Sequence, residues 1–291
     1  MNKFVQLIVA ASLCCGAVHA KEPVVQDGIA VKPLSSWTAL ASEEKLEREA
    51  ALQYRDLMSR ASEKKALAPP DHPQLLRLRA IARRIIPFTS RWNPAAAKWD
   101  WQVNLLASKQ VNAFCMPGGR IAFFTGIINT LNLSDDEIAA VMGHEISHAL
   151  REHGRERMAK STSTQVVARL LGAGAAAYFG VDPRLTDSVA RQAGQLAVLK
   201  FSRDDEREAD LVGLDLAARA GFDPRAGVAV WQKMAALGQR QPLEFMSTHP
   251  SGADRIDRIN AHMFLLLPLY ARARGVTVAQ LPSYRASALP K

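Results

Sequence analysis

The chain has 291 residues, 48% of them hydrophobic, with 37 Lys and Arg against 28 Asp and Glu for a formal net charge of +9. The two signs are interspersed, with no long basic block, no aromatics interleaved with the cations and no recognised nucleic-acid module, so the positive balance reads as a solvated surface and nucleic-acid binding is excluded. Three cysteines, Cys14, Cys15 and Cys115, are too few and too badly placed for a disulfide framework.

Residues 1–20 read as a secretory signal. Lys3 is the only charge ahead of an apolar run over 4–18, and Val18-His19-Ala20 is a small-x-small cleavage site. The run is shorter than the roughly 20 residues of a membrane-spanning helix, and no stop-transfer segment follows it. Neither Cys14 nor Cys15 is preceded by the Leu-small-small pattern of a lipoprotein signal. The expected mature chain therefore starts at Lys21 and is exported and soluble, with Cys115 as its one thiol, read as a buried small hydrophobe. It is long enough for one sizeable core plus a helical annex.

Over 36–66 the pattern is charged and helical, with Leu40, Leu46, Leu52 and Met58 as sparse apolar positions, and Ala68-Pro69-Pro70 ends it. A second helix over 73–86 carries Leu75, Leu76, Leu78, Ile81, Ile85 and Ile86 at helical spacing, the mark of a buried face. Extended segments follow over 99–106, 111–116 and 120–125, and the Pro117-Gly118-Gly119 turn makes the last two a hairpin in a small sheet. An edge of that sheet can bind an extended peptide by backbone pairing.

Ser134 with Glu137 three residues later is a capping-box signature, so the next helix begins there and carries His144-Glu145-Ile146-Ser147-His148. Four residues apart, His144 and His148 share one helical face, as two nitrogen ligands of one zinc ion must. Glu145 is turned about 100° away, placed to reach a water rather than the metal. The competing reading is an amphipathic helix with two solvated histidines. A metzincin would need Gly and His where the chain has Arg151 and Gly154. His153, about 140° round the helix from His148, reads as surface. Residues 161–180 are rich in small residues and read as a helical lid rather than a membrane span, because Arg169 interrupts the apolar face. A helix over 182–201 leads into the acidic run that begins at Arg203.

Val111-Asn112-Ala113-Phe114, Pro117-Gly118-Gly119, the HEISH helix, Phe201-Ser202-Arg203 with Glu206-Arg207-Glu208-Ala209-Asp210, and Thr248-His249-Pro250 occur in this order. Together, over residues 70–260, they resemble the gluzincin metallopeptidase family forty-eight, of the HtpX, CAAX prenyl protease and BepA–LoiP type. The chain is most similar to the short soluble periplasmic members: it lacks the transmembrane helices of the first two types, and it ends at Lys291, without room for a repeat array.

The resemblance implies an α+β, mainly helical, zincin-like fold with one Zn2+ per subunit. It makes Glu206 the third ligand, with Glu208 as runner-up, and the helical spacing lets Asp210 orient a ligand histidine from behind. It puts His249 near the metal, donating to the developing oxyanion or gating the zinc, with Arg255 in support and Asn112 and Ala113 on the substrate. His72 and His262 have no such company and read as structural or exposed. The expected organisation is a signal peptide over 1–20, a helical extension over 21–70, a zinc metalloprotease domain over 71–264 and a tail over 265–291. The expected function is periplasmic hydrolysis of misfolded or unassembled envelope proteins, with outer-membrane or envelope assembly factors as partners. The alternative is a zinc-stabilised chaperone without turnover, against which Glu145 weighs, since a structural site needs no acid there.

Overall fold

A computed structural model describes residues 27–170, 201–239, 243–249 and 254–289. The signal-peptide reading, the expected lid beyond residue 170 and all but Phe201 of the helix expected over 182–201 lie outside these residues, and Phe201 itself is not helical. The segment expected to be one helix over 36–66 is broken: a 3-10 turn, Ser36–Leu40, precedes α1, Glu43–Glu63. Ser42 makes the break, because its side chain accepts the N–H of Lys45 and so caps α1. The buried face of α1 is Ala50, Tyr54, Leu57 and Ala61, whose spacings of three and four are helical. Leu40 and Leu52 are 68% and 58% exposed; their spacing to the other leucines never matched one face.

Helix α2, Pro73–Ile85, starts at His72, whose Nδ1 accepts from Gln74 N–H, and buries Leu75, Leu78, Ile81, Ala82 and Ile85, whereas Leu76 of the expected face is exposed and Ile86 half-buried. The strands β1 (Gln102–Leu106), β2 (Ala113–Met116) and β3 (Arg120–Phe124) form one sheet in the order β1-β3-β2. The expected hairpin is present: β2 runs antiparallel to β3, and Gly118 and Gly119 turn between them at φ 79° and 82°, a region side-chain-bearing residues avoid. β1 pairs with β3 in parallel, which the sequence pattern did not foretell. Side chains alternate across the sheet. Ile121 and Phe123 face the main core, while Ala122, Phe124, Phe114 and Met116 face α1 in a second core. Tyr54 clamps α1 to the sheet by donating to Ile121 O at 2.6 Å.

A short helix α3, Thr125–Thr130, leads to α4, Asp135–Leu150, whose capping box is formed as expected: Ser134 Oγ accepts Glu137 N–H and Glu137 Oε2 accepts Ser134 N–H. Beyond α4 come α5 (His153–Leu170), α6 (Arg203–Arg219), α7 (Ala226–Gly238), α8 (Glu244–Thr248) and α9 (Asp254–Ala273). A second box, Ser202 with Asp205, caps α6. α4 and α6 cross backbone to backbone. A Cβ added to Gly143 would lie 2.4 Å from Gly213 O, and one added to Gly213 would lie 2.5 Å from His144 N. That crossing sets the height of the acidic run on α6 above the histidines on α4.

Glu137 also anchors the C-terminus. It is fully buried against Lys233 Nζ on α7 at 2.8 Å, and Lys233 Nζ donates to Ser287 Oγ at 2.6 Å. Asn132 Nδ2 donates to Ala288 O and Arg225 Nη2 to Pro282 O, so the segment after α9 docks on its own chain. The run from Phe264 to Leu267 belongs to α9, with Leu266 buried in the main core and Phe264 71% exposed. Among the described residues, no helix is long and apolar enough to cross a membrane.

Candidate metal centre

Helix α4 delivers His144, Glu145 and His148, α6 delivers Glu206 and Asp210, the residue after α8 is His249, and α9 delivers Arg255; all are buried. The separations within the cluster are 3.1 Å from His144 Nε2 to His148 Nε2, 3.4 Å from His144 Nε2 to Glu206 Oε2 and 3.5 Å from His148 Nε2 to Glu206 Oε1. Ligands bound to tetrahedral zinc at about 2.0–2.1 Å lie about 3.3 Å from one another. The two histidines and the glutamate therefore already stand at the edges of such a tetrahedron. Ligand atoms of His144, His148, Glu206 and His249 all lie within 4.8 Å of one another. The donor set is that of a zinc site, and Glu145 Oε1, buried without a hydrogen-bond partner among the described residues, has its acceptor free for a water.

Behind this shell, His144 Nδ1 meets Asp210 Oδ1 at 3.1 Å. Asp210 in turn accepts from Arg255 Nε and Nη2, both at 2.7 Å, and from Trp231 Nε1 at 3.2 Å. Arg255 reaches past it to Glu206 Oε2 at 2.7 Å, with its guanidinium carbon 3.5 Å above the Trp231 ring. This is the bidentate, stacked geometry that suits Arg rather than Lys.

Burial alone would push His144 down, but the Asp210 and Glu206 carboxylates override it and hold the imidazole up, at about 9. His148 has no such carboxylate hydrogen bond, and burial keeps it well below its usual range, offset only in part by Glu206. Burial would raise Glu206 and Asp210, yet both are held down, Glu206 by His249, His144 and His148 and Asp210 by Arg255 and His144. Glu145 is pushed up, first by burial, which the nearby His249, His144 and Arg255 offset only in part.

His249 lies 2.9 Å from Glu206 Oε1 and 3.2 Å from His144 Nε2 through Nδ1, with Nε2 3.6 Å from Glu145 Oε1. Its ring stacks on Phe245, whose N–H donates to Val111 O, tying α8 to the chain just before β2. Glu208 is outside the cluster, paired with Arg151. Asn112 and Ala113 are each 1% exposed, and Asn112 Oδ1 accepts Ala113 N–H at 2.9 Å. Cys115 is half-buried, its thiol pushed up first by burial and then by the Glu145 carboxylate. His262 is half-buried, donating to Arg258 O, as its lone position suggested.

One expectation is overturned. His153 is not a surface residue: it is 4% exposed, with Nδ1 3.0 Å from His148 Nδ1. Extending α4 to residue 153 put the ring on the far side, but α4 ends at Leu150, and Glu152, at φ 56°, reverses the chain into α5 and folds His153 back. Gly154 is the only local hint of that break. Trp231 also went unseen, since a tryptophan on a helical segment reads as core until its indole N–H finds a carboxylate.

The model for peptidase family M48 matches residues 74–263. The chain belongs to this family. Among its relatives, the Arabidopsis thaliana mitochondrial metalloendopeptidase OMA1 is 39% identical over 156 residues, 54% of this chain and 30% of that protein. The Escherichia coli metalloprotease LoiP is 31% identical over 157 residues, 54% of this chain and 60% of LoiP. The Yersinia pestis β-barrel assembly-enhancing protease is 28% identical over 172 residues, 56% of this chain and 35% of that protein. The chain thus spans less than two thirds of each. The expected fold stands: a zincin-like M48 domain, mainly helical with a small sheet, whose metal is zinc.

Proposed function

We propose that the chain is a zinc-dependent endopeptidase exported to the periplasm, where it cleaves misfolded or unassembled envelope proteins. The observation that carries the reading is Glu145 Oε1, buried without a hydrogen bond among the described residues, beside three ligands at zinc spacing. A chaperone that used zinc only as a staple would gain nothing from a buried carboxylate oxygen left without a hydrogen bond.

Zinc, when bound, supplies Lewis acidity: it lowers the pKa of water from about 15.7 to about 7, worth on the order of 12 kcal/mol, and polarises a carbonyl. His144 and His148 would hold it through Nε2 and Glu206 through its carboxylate. Glu145 Oε1 takes a proton from the attacking water and hands it to the leaving amine, a task for which a carboxylate raised by burial is suited. Asp210 accepts His144 Nδ1–H and so keeps the lone pair of Nε2 turned toward the ligand cluster. Arg255 holds Asp210 and Glu206 at once, fixing α6 to α9. His249, 2.9 Å from Glu206 Oε1, would stabilise the oxyanion that develops on the scissile carbonyl or gate the zinc. Asn112 and Ala113, at the start of the edge strand β2, position the substrate backbone.

The substrate class rests on the resemblance to the family, and backbone pairing along an edge strand would suit unstructured chains. The β-barrel assembly-enhancing relative supports an envelope setting and assembly factors as partners, and residues 1–20 support export. The mitochondrial relative favours a second reading, a protease of that organelle. We keep the division into an extension over 21–70, a catalytic domain over 71–264 and a tail over 265–291 as part of the proposal.

Purified chain should degrade reduced casein, stop on chelation and recover on zinc addition; intact casein with the zinc-loaded chain would refute the activity. Fractionation with N-terminal sequencing of the native protein separates the settings: a periplasmic product beginning at Lys21 is expected.

A further inference from the structure

We propose that His153 is a positioning residue that orients the ligand ring of His148 and fixes its tautomer, with Glu208 and Arg151 anchoring it from behind. The inference rests on reading His148 as a zinc ligand. A ligand imidazole uses one nitrogen for the metal, and the other normally donates its N–H to a carboxylate, a backbone carbonyl or a water. For His144 that partner is Asp210. His148 turns Nε2 to the cluster, and its Nδ1 meets no carboxylate among the described residues. It meets His153 Nδ1, at 3.0 Å.

The proton count then fixes both rings. His148 Nδ1 carries the hydrogen and donates it, so His153 Nδ1 is the bare lone pair and His153 carries its hydrogen on Nε2. That Nε2 lies 3.9 Å from Glu208 Oε1. Glu208 is paired with Arg151, and Arg151 Nη2 donates to Lys32 O at 2.6 Å, which ties the arrangement to the N-terminal segment. On its other side His148 stacks on the Phe201 ring at 3.9 Å, a face that offers no hydrogen bond. The two ligand histidines are thus supported differently. A carboxylate behind His144 makes that ligand more basic, whereas a neutral imidazole behind His148 fixes the ring without adding a second negative charge to the site.

The test is zinc affinity, measured by competition with a chelator of known strength, on the full chain. His153→Phe keeps the volume and loses the acceptor, and we expect zinc to bind about 10–100-fold more weakly. His153→Asn puts Oδ1 where Nδ1 stood and should bind close to wild type, with both metal-free variants melting near the wild-type temperature. Wild-type affinity in His153→Phe, or equal loss in both variants, overturns the proposal. If His153→Phe fails to fold, the nitrogen spectrum of zinc-loaded wild type decides: His153 protonated on Nε2 supports the assignment, and protonation on Nδ1 overturns it. His148→Ala is the separate control. Unchanged zinc binding in that variant would sink the ligand reading itself.

Discussion

Asp210 takes four contacts, from His144, Trp231 and twice from Arg255, and together they tie three elements, α4, α7 and α9, to the metal side of α6. Asp210→Asn keeps the shape but pairs Arg255 with a neutral amide and offers His144 a less certain acceptor. Zinc affinity should fall about 10–100-fold, and an unchanged chelator competition curve would contradict the assignment. Away from the site, Lys233 is the counter-charge of fully buried Glu137. Lys233→Met leaves that buried carboxylate without a counter-charge and should cost about 3–5 kcal/mol in denaturant unfolding. His144, Glu145 and His148 were legible because four-residue spacing on a capped helix forces two ligands to one face. Glu206 became legible only through motif order, since one glutamate in an acidic run has no spacing of its own to distinguish it. His153, Trp231 and Lys233 were not legible, because each owes its role to a partner more than twenty residues away or to a turn that helical extrapolation passes through.

At the scale of elements, the site is a helix crossing. α4 and α6 approach closely enough that Gly143 and Gly213 touch backbone to backbone, and the atoms a methyl would strike are main-chain atoms that cannot swing away. Gly213→Ala should separate the helices, destabilise the fold by about 1–3 kcal/mol and weaken zinc binding together with it. Thermal melting and metal titration of that variant check both; loss of stability with zinc binding intact would mean that the crossing does not set the ligand distances. Capping boxes and the Gly118-Gly119 hairpin turn were readable from sequence because each is decided within four residues. The parallel pairing of β1 with β3 and the buried face of α1 depend on which side of the sheet has core to offer, which no local pattern states.

Across the whole molecule, the zinc ligands come from two helices with 57 residues between His148 and Glu206 in the chain, so metal binding and folding are coupled. At free zinc about 100-fold above the dissociation constant, the metal contributes roughly 2.7 kcal/mol, and stripping it should lower the melting temperature by several degrees. Scanning calorimetry with and without chelator measures that shift, and identical melting curves would mean that the cluster does not hold metal in the folded chain. The central claim is that Glu145 moves the proton while the two histidines and Glu206 hold the zinc. The most direct measurement is therefore zinc content and casein turnover of the Glu145→Gln variant beside the wild type. The account predicts one zinc per chain in both, with turnover in the variant reduced by about 10²–10⁴-fold. Wild-type turnover in a zinc-loaded Glu145→Gln chain would contradict it.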